Sequence, residues 1–195
     1  MKHQFLLCTL LLLQASSVFT QSNTALKPVA ESLFRNVKTK LTVVEKNSIA
    51  TQLAFVPSGN KDLPFALDKD SKDYPFAALV LPTDMNKDGK EEIFVLFGNS
   101  FTSGMAGSSI ILYIKNAPGV YAPQLGFPGM APDVLVTNNL GYPDLLVGGP
   151  GFEFPVFRWN GKAYNNFRVV KDKDYEKLKK TGLEAYSKTY QETIK

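Results

Sequence analysis

The sequence predicts an α+β protein in which helical segments flank a mostly antiparallel β-sheet. Near the start of the chain, apolar residues recur at every fourth position, which is typical of an amphipathic helix. Residues 75–170 contain short apolar runs separated by Gly, Pro, Asn and Asp, which is typical of strands joined by turns. Residues 172–194 return to helical spacing. We therefore expect an N-terminal helix, a β core and a C-terminal helix.

Residues 1–20 have the layout of a secretory signal peptide. A basic start precedes an apolar run at 5–13, and a more polar stretch with small residues ends at Thr20. That run is too short for a membrane-spanning helix, which needs about 20 residues. A retained N-terminal anchor is the alternative. We expect cleavage near Thr20 and Gln21, a secreted or periplasmic protein, and no transmembrane span after cleavage.

The predicted cleavage removes the single cysteine and the single histidine, Cys8 and His3. The remaining chain would form no disulfide and would have no thiol nucleophile, imidazole base or Cys/His zinc site. The formal net charge is +4. A nucleic-acid-binding protein more often has a concentrated basic stripe with interleaved aromatic residues, so no nucleic-acid partner is expected.

Residues 21–195 suit a single domain. Within it we expect a helical part at 21–56, a β core at 75–170 and a C-terminal helix at 172–194. Residues 25–42 are predicted as one helix, because four apolar residues are spaced by four: Val29, Leu33, Val37 and Leu41.

Residues 46–55 predict a second helical segment, with a strand as the alternative, and residues 57–74 predict a loop or short hairpin. Six short strands are then predicted, at residues 76–81, 93–97, 109–114, 134–137, 145–147 and 155–159. Asn160 and Gly161 lie between two strand-like flanks, and this dipeptide strongly favours a tight hairpin turn. Gly182 weakens the C-terminal helix, since glycine is a poor helix former.

Two short segments resemble each other. Residues 89–95 and 141–147 each contain a glycine, two variable residues, an acid and three apolar residues. Thr83 precedes the first segment and Thr137 precedes the second. The pattern predicts two related β units, and a chance match between two β runs is the alternative.

The loop at residues 84–92 has oxygen-bearing side chains at alternate positions. A loop that winds around a small centre turns alternate residues inward, and Gly89 permits a sharp bend. Ca²⁺ takes 6–8 oxygen ligands. The predicted ligands are the side chains of Asp84, Asn86, Asp88 and Glu92 and the backbone carbonyl of Lys90. The alternative is a metal-free turn held by its own side-chain-to-backbone hydrogen bonds.

This loop resembles the calcium loop of FG-GAP and VCBS repeats. An apolar β run follows Glu92, whereas an EF-hand would continue into a helix and would have Glu where Val95 stands. Phe97 and Gly98 add to the resemblance. It implies Ca²⁺ as a cofactor and a sheet built from two degenerate FG-GAP-like units. A propeller needs at least about four blades, so the resemblance is carried over for the loop and not for a propeller.

Two Gly/Pro-rich loops, at residues 126–132 and 148–155, contain several aromatic residues. Exposed aromatic clusters are typical of binding surfaces. The predicted apolar recognition surface consists of Phe127, Tyr142, Phe152, Phe154 and Trp159. Most large aromatic side chains are buried, so the alternative is that the loop phenylalanines pack into the core as anchors.

These observations predict an exported, non-enzymatic, calcium-binding interaction module. Its expected partner is a protein or a glycan in the cell envelope or outside the cell. The alternative is a carbohydrate-active hydrolase, because two carboxylates alone can hydrolyse a glycosidic bond. The acids available in the loop-rich half are Asp133, Asp144 and Glu153.

Overall fold

A computed structural model describes residues 25–195 of the protein. The predicted signal peptide and its cleavage site lie outside the described residues. The described chain is α+β, as predicted, with two large antiparallel sheets, a two-stranded pair and short helices, including a helix at the C-terminal end. None of the helices between residues 25 and 195 is long and apolar enough to cross a membrane.

The helices and strands have the following bounds. The helices are α1 (Pro28–Leu33), α2 (Val43–Leu53), α3 (Ser100–Ser103), α4 (Asp172–Tyr175) and α5 (Leu183–Thr193). The strands are β1 (Val56–Pro57), β2 (Phe65–Ala66), β3 (Ala78–Thr83), β4 (Glu92–Phe97), β5 (Ser109–Lys115), β6 (Tyr121–Pro128), β7 (Asp133–Asn139), β8 (Tyr142–Leu146), β9 (Glu153–Trp159), β10 (Tyr164–Lys171) and β11 (Lys180–Gly182).

Both large sheets are meanders, in which each strand pairs with the next one along the chain. The first sheet has the order β3-β4-β5-β6, and all its pairs are antiparallel. The second has the order β10-β9-β8-β7-β11, so β7 to β10 repeat the same four-stranded layout. The short strand β11 adds to the free edge of β7. β1 and β2 form a separate pair.

The alternating side chains of β4 show how the layers are arranged. Ile93 and Val95 contact a core cluster that includes residues of α1 and α2. Phe94 lies in a second cluster, shared with residues of the other sheet such as Leu145. Successive strand residues point to opposite faces, so the first sheet lies between the two N-terminal helices and the second sheet. Both faces of β4 are covered, which explains its continuous apolar sequence.

The far face of the second sheet is covered as well. Leu146 and Val156 lie in a third cluster, against which Tyr175 and Leu178 pack. The N-terminal helices α1 and α2 therefore cover the outer face of the first sheet, and the C-terminal segment with Tyr175 and Leu178 covers the outer face of the second.

The predicted helix at 25–42 is wrong beyond its first half, because α1 ends at Leu33. Asn36 has φ 62°, a left-handed conformation that interrupts a helix. Residues 37–42 form no regular secondary structure, and α2 begins after Thr42. There Thr42 Oγ1 accepts a hydrogen bond from the backbone N–H of Glu45, and the Glu45 carboxylate accepts one from the Thr42 N–H. This capping box fixes the start of α2, and the second predicted helical segment is confirmed.

The single C-terminal helix predicted at 172–194 is also wrong. The segment contains α4, then β11, then α5. β11 pairs with β7, with Thr181 opposite Val134, and this long-range pairing overrides the local helical spacing. Gly182 lies at the N-cap of α5. Inside α5, the buried Ser187 hydroxyl donates to the carbonyl of Pro82 at 2.7 Å and fastens the helix to β3.

The six predicted strands are confirmed, with ends shifted by a few residues, and β9 and β10 form the expected hairpin. The predicted tight turn of two positive-φ residues is wrong, because Trp159 pairs with Tyr164 across a four-residue loop in which only Gly161 has positive φ. In the hairpin, the Asn160 N–H donates to the Ala163 carbonyl at 3.0 Å, and Gly161 has φ 96°. The sequence did not predict β6, because its prolines and glycine are typical of loops. β6 pairs only with β5, and an edge strand tolerates residues that cannot donate on its free side.

The shared core between the sheets predicts cooperative unfolding. Leu145 is fully buried in the second sheet and packs in the cluster that the first sheet shares. We expect Leu145→Ala to lower the free energy of unfolding by about 2–5 kcal/mol, the usual cost of truncating a buried leucine. Urea unfolding should still show one transition. Val136→Ala, at a side chain that is 68% exposed, is the control and should cost much less. Two separate transitions would show that the sheets unfold independently.

Candidate functional site

The loop at residues 84–92 connects β3 to β4, and its polar side chains fold back onto its own backbone. The Asp84 carboxylate accepts from the Gly89 N–H, with Oδ2 at 3.1 Å. Asn86 Oδ1 accepts from the Asp88 N–H at 3.1 Å, and Asp88 Oδ1 accepts from the Lys90 N–H at 2.8 Å. Three of the predicted ligand side chains therefore bond to the loop backbone, as the metal-free alternative expects, and Asp88 remains exposed.

Two left-handed residues give the loop its winding. Lys87 has φ 60° and Gly89 has φ 81°. Glycine adopts this conformation without strain, whereas a residue with a Cβ is disfavoured there. No heavy atom outside the adjoining residues lies within 4 Å of a Cβ built on Gly89, so the loop requires glycine there for its backbone conformation and not for lack of space.

Glu92 begins β4 and lies beneath the loop. Its side chain is 2% exposed, and Oε2 accepts from the Met85 N–H at 2.7 Å. Burial raises the pKa of Glu92 to about 8. The hydrogen bond from the Met85 N–H and the nearby Tyr142 hydroxyl oppose that rise, and the charges of Asp84 and Asp88 add to it. Among the residues that the structure describes, no lysine or arginine forms an ion pair with this carboxyl.

The neighbouring Glu91 is also buried, at 3% exposure, but it contacts different segments. Its carboxylate accepts from the Thr39 hydroxyl, from the Lys40 N–H at 2.9 Å and from the Tyr190 hydroxyl at 3.2 Å. It thereby holds the extended segment before α2 and helix α5 against the end of the loop. No local pattern in the sequence indicates this role, because the partners of Glu91 lie far away along the chain.

The predicted repeat coincides with the two meanders. Each glycine of the repeat has positive φ, 81° at Gly89 and 85° at Gly141, and each precedes the second strand of its sheet. Three positions after each glycine stands a buried acid, Glu92 in the first unit and Asp144 in the second. The two acids therefore occupy matching places in the two sheets.

The two matching acids differ in their partners. Asp144 accepts from Arg158 Nε at 2.8 Å, from Arg158 Nη2 at 2.7 Å and from the Thr137 hydroxyl at 2.6 Å. In the second unit, Leu140 and Gly141 make a short turn in place of the acidic loop. A guanidinium thus offsets the buried charge of the second unit, whereas Glu92 has no such partner in the described part of the chain.

The carboxylates of the loop do not form a compact cluster. Between residues 25 and 195, no group of three or more His, Cys, Asp or Glu side chains lies in an arrangement that could hold a metal ion. Asp84 and Asp88 bond to the loop backbone, and Glu92 lies below them. The predicted ligand set also includes the Asn86 amide and the Lys90 carbonyl, which are not residues of these four types.

The predicted apolar recognition surface is not formed. Tyr142 and Trp159 are each 9% exposed and pack together, with ring centroids 4.9 Å apart, and Phe154 is 7% exposed. Phe127 is half-buried and stacks on a neighbouring phenylalanine. The alternative of core anchors is thus correct for Phe127 and Phe154. It is wrong for Phe152, which is 81% exposed, because Gly149 and Gly151 carry its loop away from the sheet with φ values of 148° and 130°.

The three candidate catalytic acids have separate roles in the fold. Asp144 is fully buried and bound to Arg158, so substrate cannot reach it. Asp133 accepts from the Tyr175 hydroxyl at 2.9 Å. Glu153 is exposed at the start of β9. This placement gives no support to a catalytic pair that includes Asp144.

No protein-family model, curated protein or solved structure matches this chain. The resemblance to FG-GAP and VCBS repeats therefore stays a prediction, carried by the residues of the loop.

The ion pair of the second unit predicts a pH dependence of stability. Burial disfavours the charged form of Asp144, but hydrogen bonds from Arg158 and Thr137 outweigh it, and the pKa lies below its usual range. A lowered folded-state pKa contributes stability above the unfolded-state pKa of about 4, and this contribution is lost as pH falls through the folded-state value. Asp144→Asn should therefore reduce stability at pH 7, by about 2 kcal/mol, and flatten the loss of stability below pH 4.

Urea unfolding at pH 7 and pH 3 measures both effects. Glu153→Gln, at an exposed position, is the matched control and should retain the wild-type profile. An Asp144→Asn variant that shows the same loss of stability on acidification as wild type would contradict the assignment of that loss to Asp144.

Proposed function

We propose that the protein is an exported, non-enzymatic interaction module whose loop at residues 84–92 binds Ca²⁺, and that its two meanders are degenerate FG-GAP-like units. The supporting observation is Glu92, a buried carboxyl without a cationic partner in the described chain, beneath a loop with two further carboxylates. Export follows from the predicted signal peptide at 1–20.

The charges of the loop favour a cation. Asp84, Asp88 and Glu92 lie within nine residues of sequence, and their mutual repulsion adds to the raised pKa of Glu92. Lys90 Nζ approaches Asp88 Oδ2 at 3.7 Å, but both side chains are well exposed, and exposed ion pairs contribute little. A divalent ion would offset more charge than this lysine does. Carboxylate, amide and carbonyl oxygens are the ligands that Ca²⁺ prefers.

The hydrogen bonds within the loop are compatible with metal binding. Each carboxylate or carbonyl oxygen has two lone pairs, so an oxygen that accepts one N–H bond keeps a second pair for a cation. The candidate donors are the side chains of Asp84, Asn86, Asp88 and Glu92, with the carbonyl of Lys90. The bonds to the Gly89 and Lys90 N–H groups would hold the loop wound before an ion enters.

Comparison of the two units gives the proposal independent support. Asp144 occupies the place in the second sheet that Glu92 occupies in the first, and Arg158 offsets its charge there. The first sheet has the buried acid without such an arginine among the described residues. We assign to Ca²⁺ in the first unit the electrostatic role that Arg158 has in the second.

Bound calcium would stabilise more than the loop itself. Glu91 joins the loop end to the segment at Thr39 and Lys40 and to Tyr190 of α5. An ion that binds only the folded form stabilises it by mass action. Extracellular calcium modules commonly have a Kd of about 10⁻⁴–10⁻³ M, and at 10 mM Ca²⁺ that range corresponds to about 1.4–2.7 kcal/mol.

Thermal unfolding with calcium, with magnesium and with chelator tests the proposal. We expect 10 mM Ca²⁺ to raise the Tm of the wild-type protein by several degrees, and Mg²⁺ to raise it much less. Asp88→Asn should abolish the calcium shift. Asparagine keeps the oxygen that accepts from the Lys90 N–H, so this change removes the charge and spares the turn.

Asp62→Asn is the matched control, because Asp62 is an exposed aspartate in another loop. It should retain the full calcium shift. Wild-type curves that coincide in calcium, magnesium and chelator would contradict calcium binding and leave the metal-free turn as the correct interpretation.

A further inference from the structure

A groove runs along the flank of the loop at residues 84–92. It consists of two adjoining cavities of about 520 Å³ and 480 Å³. Lys87, Thr181 and Tyr186 line both cavities, so we treat them as one feature, the Tyr186 groove. Each cavity falls in the size range of small-ligand sites.

Two lysines and two carboxylates lie at the Tyr186 groove, since Lys40, Lys87 and Asp84 line it and Glu91 accepts from the Tyr190 hydroxyl. Lys87 projects from the winding loop, and Lys40 lines the cavity that also contains Tyr190. Within the described residues neither ammonium group takes part in an ion pair. The carboxylate of Asp84 also lines the groove, and it is one of the proposed calcium ligands. Calcium at the loop would offset this negative charge and leave the two lysines to attract an anion.

The walls of the groove are rich in hydroxyl groups. Five hydroxyl side chains line the larger cavity: Thr181, Tyr186, Thr189, Tyr190 and Thr193. The hydroxyls of Thr189 and Thr193 donate to backbone carbonyls but keep lone pairs as acceptors. The hydroxyls of Thr181 and Tyr186 make no hydrogen bond to any residue between 25 and 195. These groups favour a ligand with many hydroxyls over one that is recognised by charge alone.

The tyrosines also provide apolar surface. Tyr186 is half-buried on α5, and Tyr190 lies one turn further along the same helix. Lys40 Nζ is 5.6 Å from the centroid of the Tyr190 ring. A tyrosine offers an apolar ring with a polar tip, which matches a sugar ring that has C–H faces and hydroxyl edges. The groove therefore combines ring surfaces, hydroxyl groups and two ammonium groups.

We propose that the Tyr186 groove binds an acidic oligosaccharide, with Lys40 and Lys87 pairing with its carboxylates and the tyrosines contacting its sugar rings. The inference extends the proposed function by giving the interaction module a ligand class. It rests on that function in one respect, because calcium at the loop offsets the charge of Asp84.

Isothermal titration calorimetry with trigalacturonate, a short uronic-acid oligomer, tests the inference in 1 mM Ca²⁺. We expect the wild-type protein to bind trigalacturonate, and to bind neutral maltotriose and a poly-glutamate peptide at least tenfold more weakly. Lys87→Gln and Tyr186→Phe should each weaken trigalacturonate binding about tenfold. Lys188→Gln, at an exposed lysine of the same helix outside the groove, should leave it unchanged.

Parallel thermal unfolding separates this inference from the calcium proposal. A wild-type protein that shows the calcium shift but does not bind trigalacturonate overturns the groove assignment alone. Trigalacturonate binding without any calcium shift supports the groove as the oligosaccharide site, and it overturns both the calcium proposal and the role of calcium in offsetting Asp84. Equal binding of poly-glutamate, insensitive to Tyr186→Phe, would show an acidic-peptide site and overturn the oligosaccharide assignment. Tyr186→Phe should keep the calcium shift, which shows that its weaker binding of trigalacturonate does not come from unfolding.

Discussion

The buried carboxyl of Glu92 is the constraint on which the loop and its surroundings depend. It lies at the first position of β4, where Oε2 accepts from the Met85 N–H of the loop and the side chain lies near Tyr142 of the second sheet. A carboxyl removed from water requires a proton, a cation or strong hydrogen bonds to be stable there. Glu91 beside it is satisfied by neutral donors, whereas Glu92 has two more carboxylates above it. The proposed calcium ion resolves this imbalance.

The architecture explains how two four-stranded units form a stable domain. In a propeller each blade packs against the next one around a ring. Here the two meanders pack against each other through one shared core. The helices α1 and α2 cover the outer face of the first sheet, and the segment around Tyr175 and Leu178 covers that of the second. No further sheet is needed to bury the apolar faces of these two.

Features that depend on neighbouring residues could be predicted from the sequence, whereas features that depend on contacts between distant residues could not. The apolar run of β4 and the hairpin at Asn160 and Gly161 follow from neighbouring residues, and both were predicted. The calcium role of the acidic loop stays a prediction. β6 was missed because its prolines are acceptable only at a sheet edge, and β11 because its pairing with β7 is long-range. The burial of Trp159 and the Asp144–Arg158 pair depend in the same way on tertiary contacts that periodicity does not reveal.

Calcium binding measured by calorimetry on the wild-type protein and on Glu92→Gln tests the central claim most directly. Glutamine keeps the size and the hydrogen-bonding oxygen of the side chain but cannot supply a negative ligand. The account predicts one calcium ion per chain for the wild-type protein, with a Kd of about 10⁻⁴–10⁻³ M, and at least tenfold weaker binding by the variant. Equal calcium affinity of the two proteins, or no binding by the wild-type protein, would contradict it.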